Sequence, residues 1–190
     1  MKRIGRVILV TVALLVILFV ALRNYCPTSG LALTAQRREF QQLKNRTALP
    51  QALDFDTRVT LGTLLQPGDD QARWISSRAA TLEGYVVSIS SGPLEAANCF
   101  CRRDVHIMIG PRPDSPGREQ VVLEVTPRMA TTKELESLQQ LTGRRVSFEG
   151  WLFFDGLHAG EAENTAPGKV NNWRATGWEL HPLTKIEILK

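Results

Sequence analysis

An apolar run, VILVTVALLVILFVAL, occupies residues 7–22 and lies between Arg6 and Arg23. A helix of this length can cross a membrane when long basic side chains at its ends reach the lipid headgroups. The alternative is a cleaved signal peptide, but ALRNYC follows the run instead of a small-residue cleavage site, and the residues before Cys26 do not fit a lipoprotein. The pattern predicts an uncleaved signal anchor over residues 1–24.

Residues 25–54 are mostly polar and predict a stalk or linker, and we expect a globular domain over residues 55–190. Alternation of apolar and polar positions within this domain predicts five strands. They cover residues 81–89, 104–109, 120–126, 145–154 and 178–189. Between the third and fourth strands, Thr131 and Glu134 form a capping box for a helix whose apolar stripe ends before Gly143.

Three strands, one helix and two further strands in about 110 residues are typical of the OB-fold, a five-stranded Greek-key barrel. Gly84, in the middle of the first strand, allows the sharp bend that this barrel needs. The sequence therefore predicts a mainly β, OB-like barrel with strand order 1-2-3-5-4 and one helix between strands 3 and 4. An SH3-like barrel or another small α+β domain is the alternative.

Seven short strings support this fold through a resemblance. They are GYVVSI, EAANC, DVHI, VVLEVTPR, GWLFFD, NWRAT and WELHPLTKIEI, over about residues 80–188. They resemble the ordered motifs of small, uncharacterised bacterial membrane-anchored proteins with an OB-like core that ends in W-E-(I/L)-H-P. The resemblance implies the fold but no reaction. This chain differs from that pattern at residues 99–101, where C-F-C replaces an expected single Cys.

The chain has 23 basic and 19 acidic residues, and four of the basic ones lie within residues 1–24. The remainder is formally neutral, which argues against a nucleic-acid partner. The short basic N-terminus favours an N-inside orientation. We therefore expect a single-pass protein of the inner membrane, with its globular domain in the periplasm.

Three cysteines are present. A bridge between Cys99 and Cys101 would be strained, and a zinc knuckle would need more soft ligands than the chain offers. We expect Cys99 to be a small buried hydrophobe, Cys101 to have no role, and Cys26 to lie at the membrane. The sequence predicts no cofactor and no metal.

Five polar residues are expected on one outer face of strands 2, 3 and 5, because their neighbours in the alternation face the core. They are Asp104, His106, Glu124, Glu179 and His181. They are expected to be solvated and structural, although acids beside imidazoles can also act as general acid/base groups or bind first-row metals. His181, between Trp178 and Pro182, is expected to be more buried than His106.

The long loop from 155 to 172 borders the expected binding face of an OB-fold. Amide and stacking groups near it could bind a sugar or a peptide, and they could equally hold the loop on the barrel. They are Asn98, Asn164, Asn171, Asn172, Trp173 and Arg174. His158 in the same loop is a third imidazole.

Taken together, these features predict a membrane-anchored, extracytoplasmic binding or interaction module with an unidentified protein, peptide or glycan partner. A metal-dependent or acid/base hydrolase that uses the five polar residues is one alternative. A binder of single-stranded nucleic acid is another, suggested by the fold alone.

Overall fold

The computed structural model describes residues 2–68 and 70–190. Helix α1 covers Lys2–Tyr25, and within it Ile4–Tyr25 is long and apolar enough to cross a membrane. None of the apolar window of this helix is buried against the rest of the chain. The predicted apolar helix at the N-terminus is therefore confirmed.

Five strands form a closed barrel in the order β1-β2-β3-β5-β4, which is the predicted order. Their bounds are β1 Ala79–Ser91, β2 Val105–Gly110, β3 Val121–Val125, β4 Arg145–Phe154 and β5 Trp178–Ile188. The barrel is mixed, because β3 and β5 pair in parallel while the other neighbours are antiparallel.

The interior of the barrel contains the residues that the alternation assigned to it. Ile107, Leu123 and Leu180 are fully buried in one hydrophobic cluster. The pairing of β4 with β5 changes register around Gly150, but the alternation within β4 is kept, so that Phe148 and Leu152 both face the core. The predicted direction of the side chains is therefore correct on both sides of this change of register.

The segment between β3 and β4 starts with the predicted capping box. The backbone N–H of Thr131 donates to Oε2 of Glu134 at 2.7 Å, and the N–H of Glu134 donates to Oγ1 of Thr131 at 3.3 Å. Helix α4 covers only Thr132–Ser137, and a 3-10 turn over Leu138–Leu141 completes the segment. The single continuous helix predicted here is thus a short α-helix followed by a 3-10 turn.

Gly84 lies where β1 crosses close to two neighbours. A Cβ atom at this position would lie 3.0 Å from Cδ2 of Leu61 and 3.1 Å from the carbonyl oxygen of Gly110. A register shift follows between Val86 and Ser88. The close approach explains why β1 carries glycine at this point.

The polar segment after α1 packs on the barrel, unlike the free spacer that its composition predicted. It holds α2, which covers Ala35–Lys44 and is capped by Thr34. The ring of Phe40 packs edge-on against that of Phe153 with centroids 4.8 Å apart. After the helix, Arg46 donates to the carbonyl oxygens of Ser76 and Leu152, both at 2.8 Å. A short helix, α3, follows at Leu61–Leu64.

A disulfide between Cys26 and Cys99 fastens the start of this segment to the loop after β1. The expectation that Cys99 is only a small buried hydrophobe is therefore wrong. Packing of the segment brings the two Cα atoms to 5.9 Å although 73 residues separate them in sequence. Arg128 reinforces the junction by donating to the carbonyl oxygens of Cys26 at 2.9 Å and Pro27 at 2.8 Å. Cys101 keeps a free thiol.

Candidate functional site

Glu124 lies at the centre of the predicted polar face. The register pairs it with His106 across β2 and β3, and Oε1 of Glu124 lies 3.2 Å from Nε2 of His106. Leu123 is opposite Leu180 in the parallel pair of β3 and β5, which brings His181 beside Glu124. Nδ1 of His181 lies 2.8 Å from Oε2 of Glu124. The structure thus joins residues from three strands around one carboxylate.

This face is buried, and the expectation that it is solvated is wrong. The exposed fraction is 3% for Asp104 and Glu124 and 1% for Glu179 and His181. Only His106, whose side chain is 20% exposed, reaches the edge. His181 is therefore the more buried of the two histidines, as predicted. The cause is a cover supplied by α2 and by the loop after β4, neither of which the alternation of the strands can reveal.

Helix α2 contributes charge as well as cover. Nζ of Lys44, at the end of the helix, lies 2.9 Å from Glu95 and 3.8 Å from Oε2 of Glu124. Asn45 follows and donates to the carbonyl oxygens of Thr28 and Ala97, both at 2.8 Å. Lys44 and Asn45, two residues of the predicted stalk, therefore bind buried groups, whereas most other polar residues of α2 are exposed.

The loop after β4 supplies a second set of ionic contacts. Arg174 is fully buried and lies 2.8 Å from Oε1 of Glu179 and 3.4 Å from Oδ2 of Asp155. The same oxygen of Asp155 lies 2.6 Å from Nδ1 of His158. Asp155 was not singled out from the sequence, although its place at the end of β4 puts it at this edge of the barrel. We call Lys44, Glu95, Asp104, Glu124, Asp155, Arg174, Glu179 and His181 the charged floor.

Burial and close charges act against each other on the ionisable groups of the charged floor. Burial alone would raise the pKa of Glu124, but His181 and Lys44 hold it well below its usual range. Burial would lower the pKa of His181, but Glu124 outweighs it and raises that pKa to about 9. Likewise, burial opposes the charge of Lys44, yet Glu124 and Glu95 raise its pKa. Glu124 is therefore ionised between two cations.

Asp104 and Glu179 have the opposite character. Burial is the main cause that raises the pKa of each, and the neighbouring charge of Glu124 adds to the effect. Nδ2 of Asn98 donates to Oδ2 of Asp104 at 2.9 Å. Oδ1 of Asp104 and Oε2 of Glu179 have no hydrogen-bond partner in the described part of the chain. The charged floor thus includes two carboxyl groups that the protein satisfies only in part.

The amides that were candidate ligand groups mostly hold the protein to itself. Nδ2 of Asn164 donates to the carbonyl oxygen of Leu64 at 2.9 Å, and Nδ2 of Asn172 donates to Oε2 of Glu163 at 2.7 Å. Asn98 supports Asp104, as described above, whereas Asn171 is exposed. The amides of Asn98, Asn164 and Asn172 therefore stabilise the protein's own loops and site, as the structural interpretation expected.

A cleft of about 350 Å³ lies above the charged floor, between α2 and the loop after β4. Its floor includes Glu124 and Glu179. Its walls combine apolar and ionic side chains, which are Phe40, Leu157 and Trp173 together with Arg37, His106 and His158. Trp173 is partly exposed, and its Nε1 donates to Oε2 of Glu161 at 2.6 Å, which holds the ring in place. The cleft is large enough for a small ligand or a few residues of a peptide.

Sequence reasoning missed Glu95 and Asp155 and, on α2, Phe40 and Lys44. Phe40 and Lys44 lie four residues apart and therefore share one face of α2. That spacing was the available signal, but a ten-residue helix with one aromatic residue does not reveal what it covers. No known protein family matches this chain, and no curated protein matches it.

Proposed function

We propose that this chain is a membrane-anchored, extracytoplasmic binding module that takes a small polar ligand or a short peptide segment into the cleft above the charged floor. The cleft is the observation that carries the proposal. Aromatic and aliphatic side chains and charged groups of both signs line this concave site, which lies between α2 and the loop after β4.

The barrel resembles an OB-fold in the features that define that fold. It has five strands in the order 1-2-3-5-4, a glycine in β1 where neighbouring chain segments approach closely, and a helical segment between β3 and β4. OB-folds bind ligands on the face of strands 2 and 3 and the adjoining loops. The cleft lies over this face, because His106 of β2 and Glu124 of β3 line it. The position of the cleft therefore agrees with this assignment.

Two features support a location outside the cytoplasm. Helix α1 is a candidate membrane span, and its very short N-terminal tail with a free amine favours an N-inside orientation, since the basic residues before the apolar run are matched by Arg23, Arg37 and Arg38 after it. Independently, a disulfide between Cys26 and Cys99 is stable in an oxidising compartment such as the periplasm and rare in the cytosol. A single-pass protein of the inner membrane with a periplasmic barrel satisfies both.

Site-specific photo-crosslinking in membranes tests the proposal. Leu157 lines the cleft and is 64% exposed, and Ile75 lies outside the cleft lining and is 65% exposed. A photoreactive phenylalanine analogue at either position therefore disturbs the fold equally little. We expect a discrete adduct from position 157, identified by mass spectrometry, and none of the same mass from position 75.

A second pair of measurements makes the result specific. The adduct at position 157 should disappear when Ala96, a small and partly exposed residue of the cleft lining, is replaced by Trp to fill the space. Identical adducts at 157 and 75, or an adduct that survives the Ala96→Trp change in a folded protein, would show that the cleft is not a binding site.

Acid/base hydrolysis is a second candidate function, favoured by the position of Glu124 between two imidazoles. Such an arrangement can hold and transfer a proton. His106 is the imidazole that lines the cleft, so it is the group that would face a substrate. Replacement of His106 by Gln would abolish hydrolysis, whereas it would leave binding of a ligand largely intact. Binding of single-stranded nucleic acid is expected to be weak, because the chain beyond residue 24 has no net charge.

A further inference from the structure

We propose that Asp104, Glu124 and His181 form a binding site for a divalent first-row transition-metal ion, such as Zn²⁺ or Mn²⁺, beneath the cleft. Each residue offers one ligand atom, and these atoms lie within 4.8 Å of one another. Glu124 lies in β3, His181 lies in β5, and Asp104 directly precedes β2, so the barrel holds all three in position. This site is independent of the ligand that the cleft accepts.

The geometry around Glu124 and His181 is that of two ligands facing a common point. Oε2 of Glu124 and Nδ1 of His181 are 2.8 Å apart, yet neither atom takes part in an aligned hydrogen bond in the described part of the chain. Two ligands that bind a metal at about 2.1 Å lie about 3 Å apart at the angle of about 90° in an octahedral site and about 3.4 Å apart at the tetrahedral angle that Zn²⁺ prefers. The observed separation needs little adjustment to fit such a pair.

Two buried carboxylate oxygens near this pair have no partner among the described residues and are therefore available to bind a cation. Oδ1 of Asp104 has no hydrogen-bond partner among the described residues, while Asn98 holds the other oxygen of the same carboxylate. Support of this kind orients metal ligands in proteins. Oε2 of Glu179, which is not one of the three ligands, lies 3.7 Å from Nδ1 of His181 and also has no partner there. An unpaired buried carboxylate is costly, and a bound cation would remove that cost.

The balance of charge also favours a cation. Five carboxyl groups lie in the charged floor, but only Lys44 and Arg174 are permanent cations. Lys44 already has Glu95 as a partner at 2.9 Å, and Arg174 is placed between Glu179 and Asp155. His181 is therefore the main counterion left for the two carboxylates of Asp104 and Glu124.

The donor set selects the class of ion, and the cleft gives it a route. Two carboxylates with one imidazole suit Zn²⁺, Mn²⁺ and similar ions, whereas Ca²⁺ and Mg²⁺ prefer oxygen ligands alone. Glu124 lines the cleft, so an ion can reach the site from solvent. Nε2 of His106 lies 3.2 Å from Oε1 of Glu124, so His106 lies beside the site but outside the group of three ligands.

Metal analysis of the full chain in detergent tests this site. Bound metal is removed with a chelator, and the protein is incubated with Zn²⁺ or Mn²⁺ alone and dialysed. The metal that it retains is then measured by elemental mass spectrometry. We expect about one ion per chain for the wild type and at least a tenfold weaker affinity for Asp104→Asn, which keeps the shape of the side chain. Asp114→Asn, at an exposed aspartate, is the matched control and should bind as the wild type does.

A measurement on the wild type removes any dependence on the folding of the variant. Substoichiometric Mn²⁺ should broaden the imidazole resonances of His181 and His106 before those of His158, because only the first two lie beside Glu124. Retention of no ion, equal retention by a folded Asp104→Asn variant, or equal broadening of all three histidines would each overturn the proposal. None of these results depends on whether a ligand crosslinks at position 157.

Discussion

Two groups of ionic residues point outward from the same barrel and differ completely in their surroundings. Glu83 and Arg145 pair at 3.1 Å across β1 and β4, and both side chains are half exposed. On the side of β2, β3 and β5, Glu124 pairs with His181 at 2.8 Å, and both are almost fully buried. The distances are similar, but water surrounds the first pair and protein surrounds the second.

The comparison shows that the side of the sheet on which a residue lies and its exposure to solvent are two separate properties. Alternation determines which side of the sheet a residue faces, and it does so correctly for both pairs. Exposure depends instead on whether a distant segment covers that side, and here α2 and the loop after β4 cover only one of them. The energetic consequence is large, because an exposed ion pair contributes little while a buried charge without its partner is strongly destabilising.

The largest expected effect is on the free energy of unfolding when Glu124 is replaced by Gln. Loss of this carboxylate removes the nearest partner of the buried His181 and the second partner of Lys44, and we expect a loss of about 3 to 5 kcal/mol. Urea unfolding of the full chain in detergent and chelator measures it. The control is Glu83→Gln at the exposed pair, which should change the free energy by less than about 1 kcal/mol. Equal losses for both variants would contradict the difference between the two sides.

Cys26→Ser tests how the cover is fastened. The disulfide closes a long loop between the start of the α2 segment and the barrel, and its loss should lower the free energy of unfolding by about 2 to 4 kcal/mol. Cys101→Ser removes a thiol outside the bridge and serves as the control. If Cys101→Ser destabilised the protein as much as Cys26→Ser does, the pairing would be different from the one described.

Much of this fold could be predicted, because its information is local. The five strands, their order and the capping box at Thr131 and Glu134 follow from alternation and capping within short stretches. The cover of the charged floor could not be predicted, since it depends on contacts such as Phe40 with Phe153, which are far apart in sequence. The Cys26–Cys99 bridge was missed for the same reason. Asp104, Glu124 and Glu179 were therefore assigned to the correct face but to the wrong environment, whereas His181 was correctly expected to be more buried than His106.

Replacement of the histidines on either side of Glu124 gives a smaller and more local comparison. His181→Gln should lower the free energy of unfolding by about 1 to 3 kcal/mol, because the imidazole is buried beside an ionised partner. His106→Gln should change it by no more than about 1 kcal/mol, since that side chain is at the edge. Thermal or urea unfolding of the two variants in chelator measures the difference. A larger loss of unfolding free energy for His106→Gln than for His181→Gln would contradict the account, because it would mean that His106 is the more deeply buried histidine.

The smallest effect concerns pH and the half-exposed pair of His158 and Asp155. A hydrogen bond to Asp155 raises the pKa of His158 above its ordinary value of 6.5. The stabilisation is therefore complete below about pH 6.5 and is lost as the pH rises through the raised pKa. The difference in melting temperature between the wild type and His158→Gln should shrink between about pH 6 and about pH 8.5. A difference that grows with pH would show that the fold favours the neutral imidazole.

Exchange of the imidazole C2 hydrogen for deuterium tests the buried charged floor most directly, because the chain has three histidines in three environments. His181 is almost fully buried, whereas the side chain of His106 is 20% exposed and that of His158 is 45% exposed. Mass spectrometry of the native full chain, on the high-pH plateau of the reaction, should show His181 exchanging at least tenfold more slowly than His158, with His106 between them. Exchange of His181 as fast as that of His158 would mean that this side of the barrel faces water, which would contradict the account.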